Sequence, residues 1–262
     1  MALSYYGGKT LYANDIAAAI EEICKGRRPR RYIEPFCGWC SVVSQLRANG
    51  RLKVDEFVAS DYNKSIVSMW RGLSRRTWKP PDRVITKEEW ERLRDARPSA
   101  LKGFVGVVYS FNGRYFNWYR APPHTRAERL QKRADALAGV TFLHRKFDDP
   151  EYLAARGCIF YLDPPYQQTV SRVLHYRHDG TGGKLSTTPF DHDHFWNVAK
   201  GLARHNIVIV SEYQAPPGWT CVRTLPKKGM AANADVNSVN PSLEKLFMFG
   251  PQTRRPPQAP AA

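Results

Sequence analysis

The sequence predicts an α/β protein, a doubly wound sheet interrupted once by a basic, mostly helical insertion. Three observations carry this. Apolar and aromatic runs at 31–34, 56–61, 140–144, 158–162 and 206–211 alternate with helical stretches, the pattern of a parallel sheet. The run Ile159-Phe160-Tyr161-Leu162 stops at Asp163-Pro164-Pro165-Tyr166, where two prolines, unable to donate to a ladder, take the chain out of the sheet. Between 66 and 135, sixteen Lys/Arg stand against seven Asp/Glu, so those residues hold +9 of a net +16.

Taken in order, a helix is expected at about 12–24, with Gly26 just past its end. Gly8-Lys9-Thr10 looks like the tail of a phosphate-binding P-loop. Leu3 stands where that motif needs its first glycine, and there is no room for the preceding strand, so the P-loop is rejected. Strand 31–34 then runs into Pro35-Phe36-Cys37-Gly38 and a helix opening near Ser41. Strand, glycine turn and helix open a nucleotide-binding unit, because the backbone can approach a ligand closely there. Cys37-Gly38-Trp39-Cys40 spells C-x-x-C, but no second pair and no nearby His pair accompany it. Small residues lining a tight turn account for it better than zinc or redox chemistry.

Strand 56–61 ends in Asp61, about 25 residues after the turn. An acid in that place accepts hydrogen bonds from ribose hydroxyls in dinucleotide folds; the alternative makes Asp61 a helix cap. Asn63 can cap the helix that follows. Inside the insertion, Thr86-Lys87-Glu88-Glu89 and Thr125-Arg126-Ala127-Glu128 are capping-box patterns, each opening an amphipathic helix. Between them Tyr109 to Arg120 interleaves aromatics with Asn112, Arg114, Asn117, Tyr119 and Arg120. Such a surface can stack on bases, read base edges and touch phosphates; the alternative is an aromatic core with an ordinary solvated face of arginines.

The strand pattern resumes at 140–144, a short helix spans 148–155, and the strand ending in Asp163 follows. Residues 167–189 form a polar segment too long for a simple connection, either a functional lid or partly disordered. His175 with His178 and His192 with His194 lack the ligand count of a metal centre, so no metal is expected. Asp191 is read as the cap of a helix at 193–203, two strands near 219–224 and 244–249 close the pattern, and the Pro-rich tail 251–262 is expected to be disordered. The division implied is a discontinuous sheet domain of 1–65 with 136–250, an inserted domain of 66–135, and the tail.

At 262 residues and 42% hydrophobic the chain can bury a full core. A pI near 9.8 attracts polyanions, with an anionic membrane as the rival to nucleic acid. No run approaches the roughly 20 apolar residues that span a bilayer, and the first residues do not read as a signal peptide, which favours nucleic acid. Five irregularly spaced cysteines, odd in number, point to a reducing cytoplasm.

Together the motifs resemble a known family, the Dam-type (alpha-group) adenine-specific DNA methyltransferases. Tyr5-Tyr6-Gly7-Gly8-Lys9 is similar to its aromatic-x-Gly-Gly-Lys start, and Ile33-Glu34-Pro35-Phe36-Cys37-Gly38 to its Glu-Pro-Phe-x-Gly turn. Asp61-Tyr62-Asn63 is similar to its Asp-x-Asn, and Asp163-Pro164-Pro165-Tyr166 to its catalytic tetrapeptide. Glu244-Lys245-Leu246-Phe247 resembles the closing strand. The four main motifs keep family-like order and separation over about 160 residues. Two departures stand out: Trp39 or Cys40 occupies the place of a usual further glycine, and Val210-Ser211-Glu212-Tyr213 lacks an expected Asn.

The resemblance implies a Rossmann-like S-adenosylmethionine-dependent methyltransferase sheet with an inserted, mostly helical target-recognition domain. It implies S-adenosylmethionine as cofactor, with Tyr5, Tyr6, Lys9, Glu34, Phe36, Gly38, Asp61 and Asp163 around it. Asp163, Pro164, Pro165 and Tyr166 would be catalytic, and Asn112, Arg114, Asn117, Tyr119, Arg120 and Arg126 would meet double-stranded DNA. A phage- or prophage-like orphan enzyme is expected, acting as a monomer or as a homodimer on a palindromic site. Two alternatives stand beside it: methylation of cytosine's amino group, and a catalytically inactive DNA-binding relic of the fold.

Overall fold

The computed structural model describes residues 5, 7–122, 126–166, 190–225 and 243–250. Seven strands form one sheet: β1 (Arg31–Glu34), β2 (Glu56–Asp61), β3 (Thr141–His144), β4 (Ile159–Leu162), β5 (Ile207–Glu212), β6 (Trp219–Thr224) and β7 (Lys245–Phe249). Their order is β3-β2-β1-β4-β5-β7-β6. The first five are parallel to one another, while β7 runs antiparallel between β5 and β6. The strand order reverses between β1 and β4, and the crevice outside the carboxyl ends at such a reversal is where open α/β sheets hold ligands.

Eight helices accompany the strands among the described residues: α1 (Ala13–Ile23), α2 (Ser41–Asn49), α3 (Lys64–Ser74), α4 (Lys87–Asp95), α5 (Ala100–Val108), α6 (Arg126–Ala136), α7 (Pro150–Leu153) and α8 (His192–Ala203). Their starts follow cap chemistry readable in the sequence. The Asn63 side chain accepts from the Ser65 and Ile66 N–H groups, Thr86 from Glu89 and Asp191 from His194. The Thr125 box, residues 167–189 and the tail lie outside the described residues.

The central strands are buried on both faces, so successive residues part company. Tyr32, Tyr161 and Ile209 enter the core covered by α1, α2, α3, α5 and α6, while Ile33, Phe160 and Val208 enter the one covered by α7 and α8. Trp90, Phe104, Val105, Tyr109 and Phe116, all within 66–135, belong to the same cluster as Tyr32 and Tyr161. The boundaries expected at 65/66 and 135/136 fall inside α3 and α6; α3 packs on β2 and β3, and α6 packs on α2 and α3. No helix among the described residues is long and apolar enough to cross a membrane.

Candidate active site

β1, β2 and β4 deliver Glu34, Asp61 and Asp163 to one edge of the sheet, and the N-terminal segment lies against it. After Leu162 the prolines end the ladder, leaving Asp163 a single residue past the strand with 14% of its side chain exposed. Lys9 Nζ reaches its Oδ1 at 2.6 Å and donates to Gly7 O at 3.1 Å. The same ammonium lies 4.4 Å from the centroid of the Tyr166 ring. Tyr166 donates its phenol to Glu244 and meets Tyr213 edge to face, with ring centroids 4.7 Å apart.

This is a buried and highly charged corner. Burial pushes the Asp163 carboxyl up to about 6, with the Glu244 charge adding to the rise and the Lys9 ammonium pulling against it. Burial alone would lower Lys9, but Asp163 and Glu244 outweigh it and raise the ammonium above its ordinary value. Burial together with Asp163 and Glu244 drives the Tyr166 phenol well upward, so Tyr166 is a neutral donor. Beside this corner Glu34 is buried, accepts from Tyr32 Oη at 2.7 Å, and is raised to about 8, chiefly by burial.

The glycine turn forms the other half of the edge. Gly38 adopts φ +41°, and a Cβ there would stand 2.8 Å from the Tyr5 ring. Its N–H donates to Asp61 Oδ2 at 2.9 Å, and its carbonyl accepts from Trp70 Nε1 at 2.9 Å. Asp61 Oδ1 accepts from the Asn63 N–H at 2.8 Å. Asp61 therefore ties the turn to the end of β2, while Asn63 is the helix cap. Tyr5 stacks on Trp39, which meets Trp70 edge to face, so a wall of three aromatic rings backs the turn. Where a further glycine was expected, Cys40 itself takes the left-handed conformation at φ +54° as the residue before α2. Trp39 fills the space behind it, and Arg133 of α6 donates to Trp39 O at 2.9 Å.

Tyr5, Lys9, Glu34, Gly38, Asp61, Asp163 and Tyr166 thus share one edge. Phe36 sits beside it in a cluster with Phe147, Phe190 and Phe195. Pro164 is buried and Pro165 exposed, while Tyr6 and the side chain of Arg126 lie outside the described residues. Two residues at the corner were not singled out from sequence. Glu244 precedes β7, and the antiparallel pairing of Lys245 with Glu212 is what carries it to the catalytic edge. Tyr213 follows β5 directly. The hints were the closing-strand pattern at 244–247 and the departure at 210–213.

The loop 109–120 divides its residues. A bridge between Ser110 and Tyr119 closes it. Tyr119, expected at a nucleic-acid surface, turns inward instead: its hydroxyl donates to Ile85 O at 2.7 Å and its ring packs on Tyr109 and Trp90. A phenol that finds both a carbonyl and aromatic partners gains more there than in water. Asn112 (φ +53°) and Arg120 are exposed, Arg114 and Asn117 half-buried. Trp118, which the sequence left unassigned, is 78% exposed, and Phe111 beside it 46%.

A Rossmann-like sheet whose glycine turn is tied to an acid on the second strand, with an Asp-Pro-Pro-Tyr terminus across the switch point, defines a nucleotide-cofactor enzyme of the methyltransferase type. The D12 class of N6 adenine-specific DNA methyltransferases matches over residues 5–98 and 99–216, and the chain belongs to that family. It is therefore an adenine-specific DNA methyltransferase with a methyl donor of the S-adenosylmethionine type, which sets aside the amino-cytosine alternative. Among solved structures, the rRNA methyltransferase aviRa from Streptomyces viridochromogenes is similar at 15% identity and TM-score 0.39, covering 89% of this chain and 83% of that one. TrmN from Thermus thermophilus is similar at 10% identity and TM-score 0.39, covering 89% and 47%. No curated protein sequence matches the chain.

Proposed function

We propose that the enzyme transfers a methyl group from S-adenosylmethionine to the exocyclic amino nitrogen of an adenine flipped out of double-stranded DNA. The observation that carries this is the Asp163 carboxylate, set beside Pro164 at a proline-terminated strand end and held by Lys9. The residues present fit the donor. Gly38, having no Cβ, lets the Tyr5 ring lie against the turn, and Asp61 still has oxygen lone pairs to accept ribose hydroxyls. Tyr5, Glu34, Phe36, Gly38 and Asp61 would hold it, supported by Lys9 and Tyr6. When bound, it supplies an electrophilic methyl group on a sulfonium.

The protein's own work is positioning. Adenine's amino lone pair is delocalised into the ring, so the nitrogen is a poor nucleophile. Asp163 and the Pro164 carbonyl accept its two N–H bonds, which localises the lone pair and aims it. The nitrogen becomes acidic only once methylated, so no strong base is needed. Asp163, raised to about 6, can hold the released proton briefly. Tyr166, its phenol held by Glu244, is buried here against Lys9 and Tyr213 and would stack on the base once a face of its ring is uncovered. Extrusion of the base costs a few kcal/mol, offset by stacking worth about 1–3 kcal/mol and by phosphate contacts from Arg114, Arg120, Arg126 and the basic insertion.

Asp163→Ala tests this. Tritiated methyl incorporation into duplex DNA should fall at least about 100-fold, while DNA affinity stays within about threefold of wild type. Incorporation at a near-wild-type rate would defeat the proposal.

A further inference from the structure

The opposite end of the strands carries a second concentration of positive charge. Lys25-Gly26-Arg27-Arg28-Pro29-Arg30-Arg31 places five cations in seven residues with no acid among them. This segment leads from α1 into the start of β1, so it lies at the amino edge of the sheet, away from Glu34, Asp61 and Asp163. At ~3.3 Å per residue, strands of four to six residues separate the two edges by roughly 13–20 Å.

The segment is built rather than loose. Gly26, at φ +73°, turns the chain out of α1, and the Arg27 N–H donates to Cys24 O at 2.9 Å. Pro29 is buried. The backbone of Arg30 is pinned on both sides, donating to Gly157 O at 2.8 Å and accepting from the Asp55 N–H at 2.9 Å. Lys25, Arg28 and Arg30 are exposed and Arg27 and Arg31 half-exposed; among the described residues none of the five forms an ion pair.

Two cavities open along this edge, and each is lined by three cations. One, of about 350 Å³, is bounded by Arg30, Arg31 and Arg156, with Glu151 its one acid. Glu151 is already held by Arg145 at 2.6 Å. The other, of about 550 Å³, is bounded by Arg28, Arg47 and Lys53, with Asp55 its one acid. Cations near helix C-termini complement the helix dipole, which accounts for Lys25 after α1 and Arg47 in α2. It does not account for Arg28, Arg30 and Arg31, which lie beyond those last turns. An unpaired, pre-positioned row of arginines beside recesses of this size is suited to phosphodiester oxygens, which guanidinium groups bind in bidentate fashion.

We infer that the amino edge of the sheet, centred on Arg27, Arg28, Arg30 and Arg31, is a second duplex-DNA binding surface that grips the backbone of a segment other than the one being methylated. A straight duplex lying across the carboxyl edge does not reach the amino edge, so the two surfaces serve two segments. The consequence is bridging, and transfer of the enzyme from one stretch of DNA to another without full release.

The test is a retention assay with full-length protein. A short duplex is immobilised, enzyme is added, and capture of a second, labelled duplex is measured. The wild type should retain the second duplex, and the variant R27Q/R28Q/R30Q/R31Q should lose at least about tenfold of that retention. The salt slope of its affinity for long DNA should flatten by about 0.9 for each phosphate it no longer neutralises. Thermal melting within a few degrees of wild type establishes that the variant is folded; if it is not, R30Q/R31Q is used alone. Failure of the wild type to retain a second duplex overturns the inference, as does equal retention by a folded variant. Binding to anionic vesicles with no duplex retention overturns it too. The assay needs no methyl transfer, so it is independent of the catalytic proposal.

Discussion

Lys9 and Asp163, 154 residues apart, meet at 2.6 Å in a corner where both side chains are more than four-fifths buried. The pair sets the ionisation of the carboxylate proposed to receive the amino group. With Asp163 raised to about 6, kcat/KM should fall below pH 6, approaching tenfold per unit as the carboxylate is protonated. Lys9→Met removes the strongest pull holding that value down, so the acid limb should move above 6. It also leaves a buried charge unpaired, at a cost of about 3–5 kcal/mol of stability. A pH–rate profile of both proteins checks this, and an unmoved acid limb would detach Lys9 from the titration.

Glu34 gives a separate pH signature, read from stability. Its carboxyl is raised from 4.5 to about 8, chiefly by burial. The folded state then holds the proton more tightly than the unfolded one. Its contribution is favourable at low pH, is lost as pH rises from about 4.5 to 8, and levels off above that. Glu34→Gln keeps an acceptor for Tyr32 and removes the titration. Its melting temperature relative to wild type should therefore climb through that window, as followed by calorimetry from pH 5 to 9. A constant difference would show that Glu34 is ionised throughout.

How much of this was legible in the sequence depends on what each residue answers to. Asn63, Thr86 and Asp191 answer to the first turn of their own helices, and all three caps are where local reading put them. Asp163 answers to a strand and a pair of prolines, again local signals. Glu244 was not legible, because its place depends on β7 inserting antiparallel between β5 and β6, a pairing no short-range pattern encodes. The loop 109–120 has neither a helix nor a strand period. Nothing in it separated Tyr119, which turns in to Ile85, from Trp118, which turns out. At the glycine turn the sequence announced a departure at Trp39 and Cys40, and the structure absorbs it with a left-handed cysteine behind a tryptophan.

Gly38 is the position where a single methyl group should separate donor binding from everything else. At φ +41°, with a Cβ bound to stand 2.8 Å from the Tyr5 ring, Gly38→Ala strains the turn and pushes Tyr5 off Trp39. Affinity for S-adenosylhomocysteine should weaken at least about tenfold, while nonspecific DNA affinity holds. Calorimetric titration measures the first and fluorescence anisotropy the second. An unchanged dissociation constant for S-adenosylhomocysteine would move the donor's bed away from this turn.

The DNA-facing reading of the insertion comes down to Trp118 and Arg120. Trp118 is 78% exposed, so Trp118→Ala removes little that the fold uses. If its ring stacks on a base or an opened step, the loss is about 1–3 kcal/mol, roughly 5- to 150-fold in affinity for duplex DNA. Arg120 is exposed with its guanidinium 5.7 Å from the Phe111 ring centroid, a placement that leaves its charge available to phosphate. Arg120→Gln should weaken binding alike on all sequences and reduce the salt slope by about 0.9. The two variants thus separate: Trp118→Ala lowers affinity with the salt slope unchanged, and Arg120→Gln changes the slope itself. Anisotropy titrations over a range of salt concentrations distinguish them, and wild-type curves for both would place the methylated duplex on a different face of the insertion.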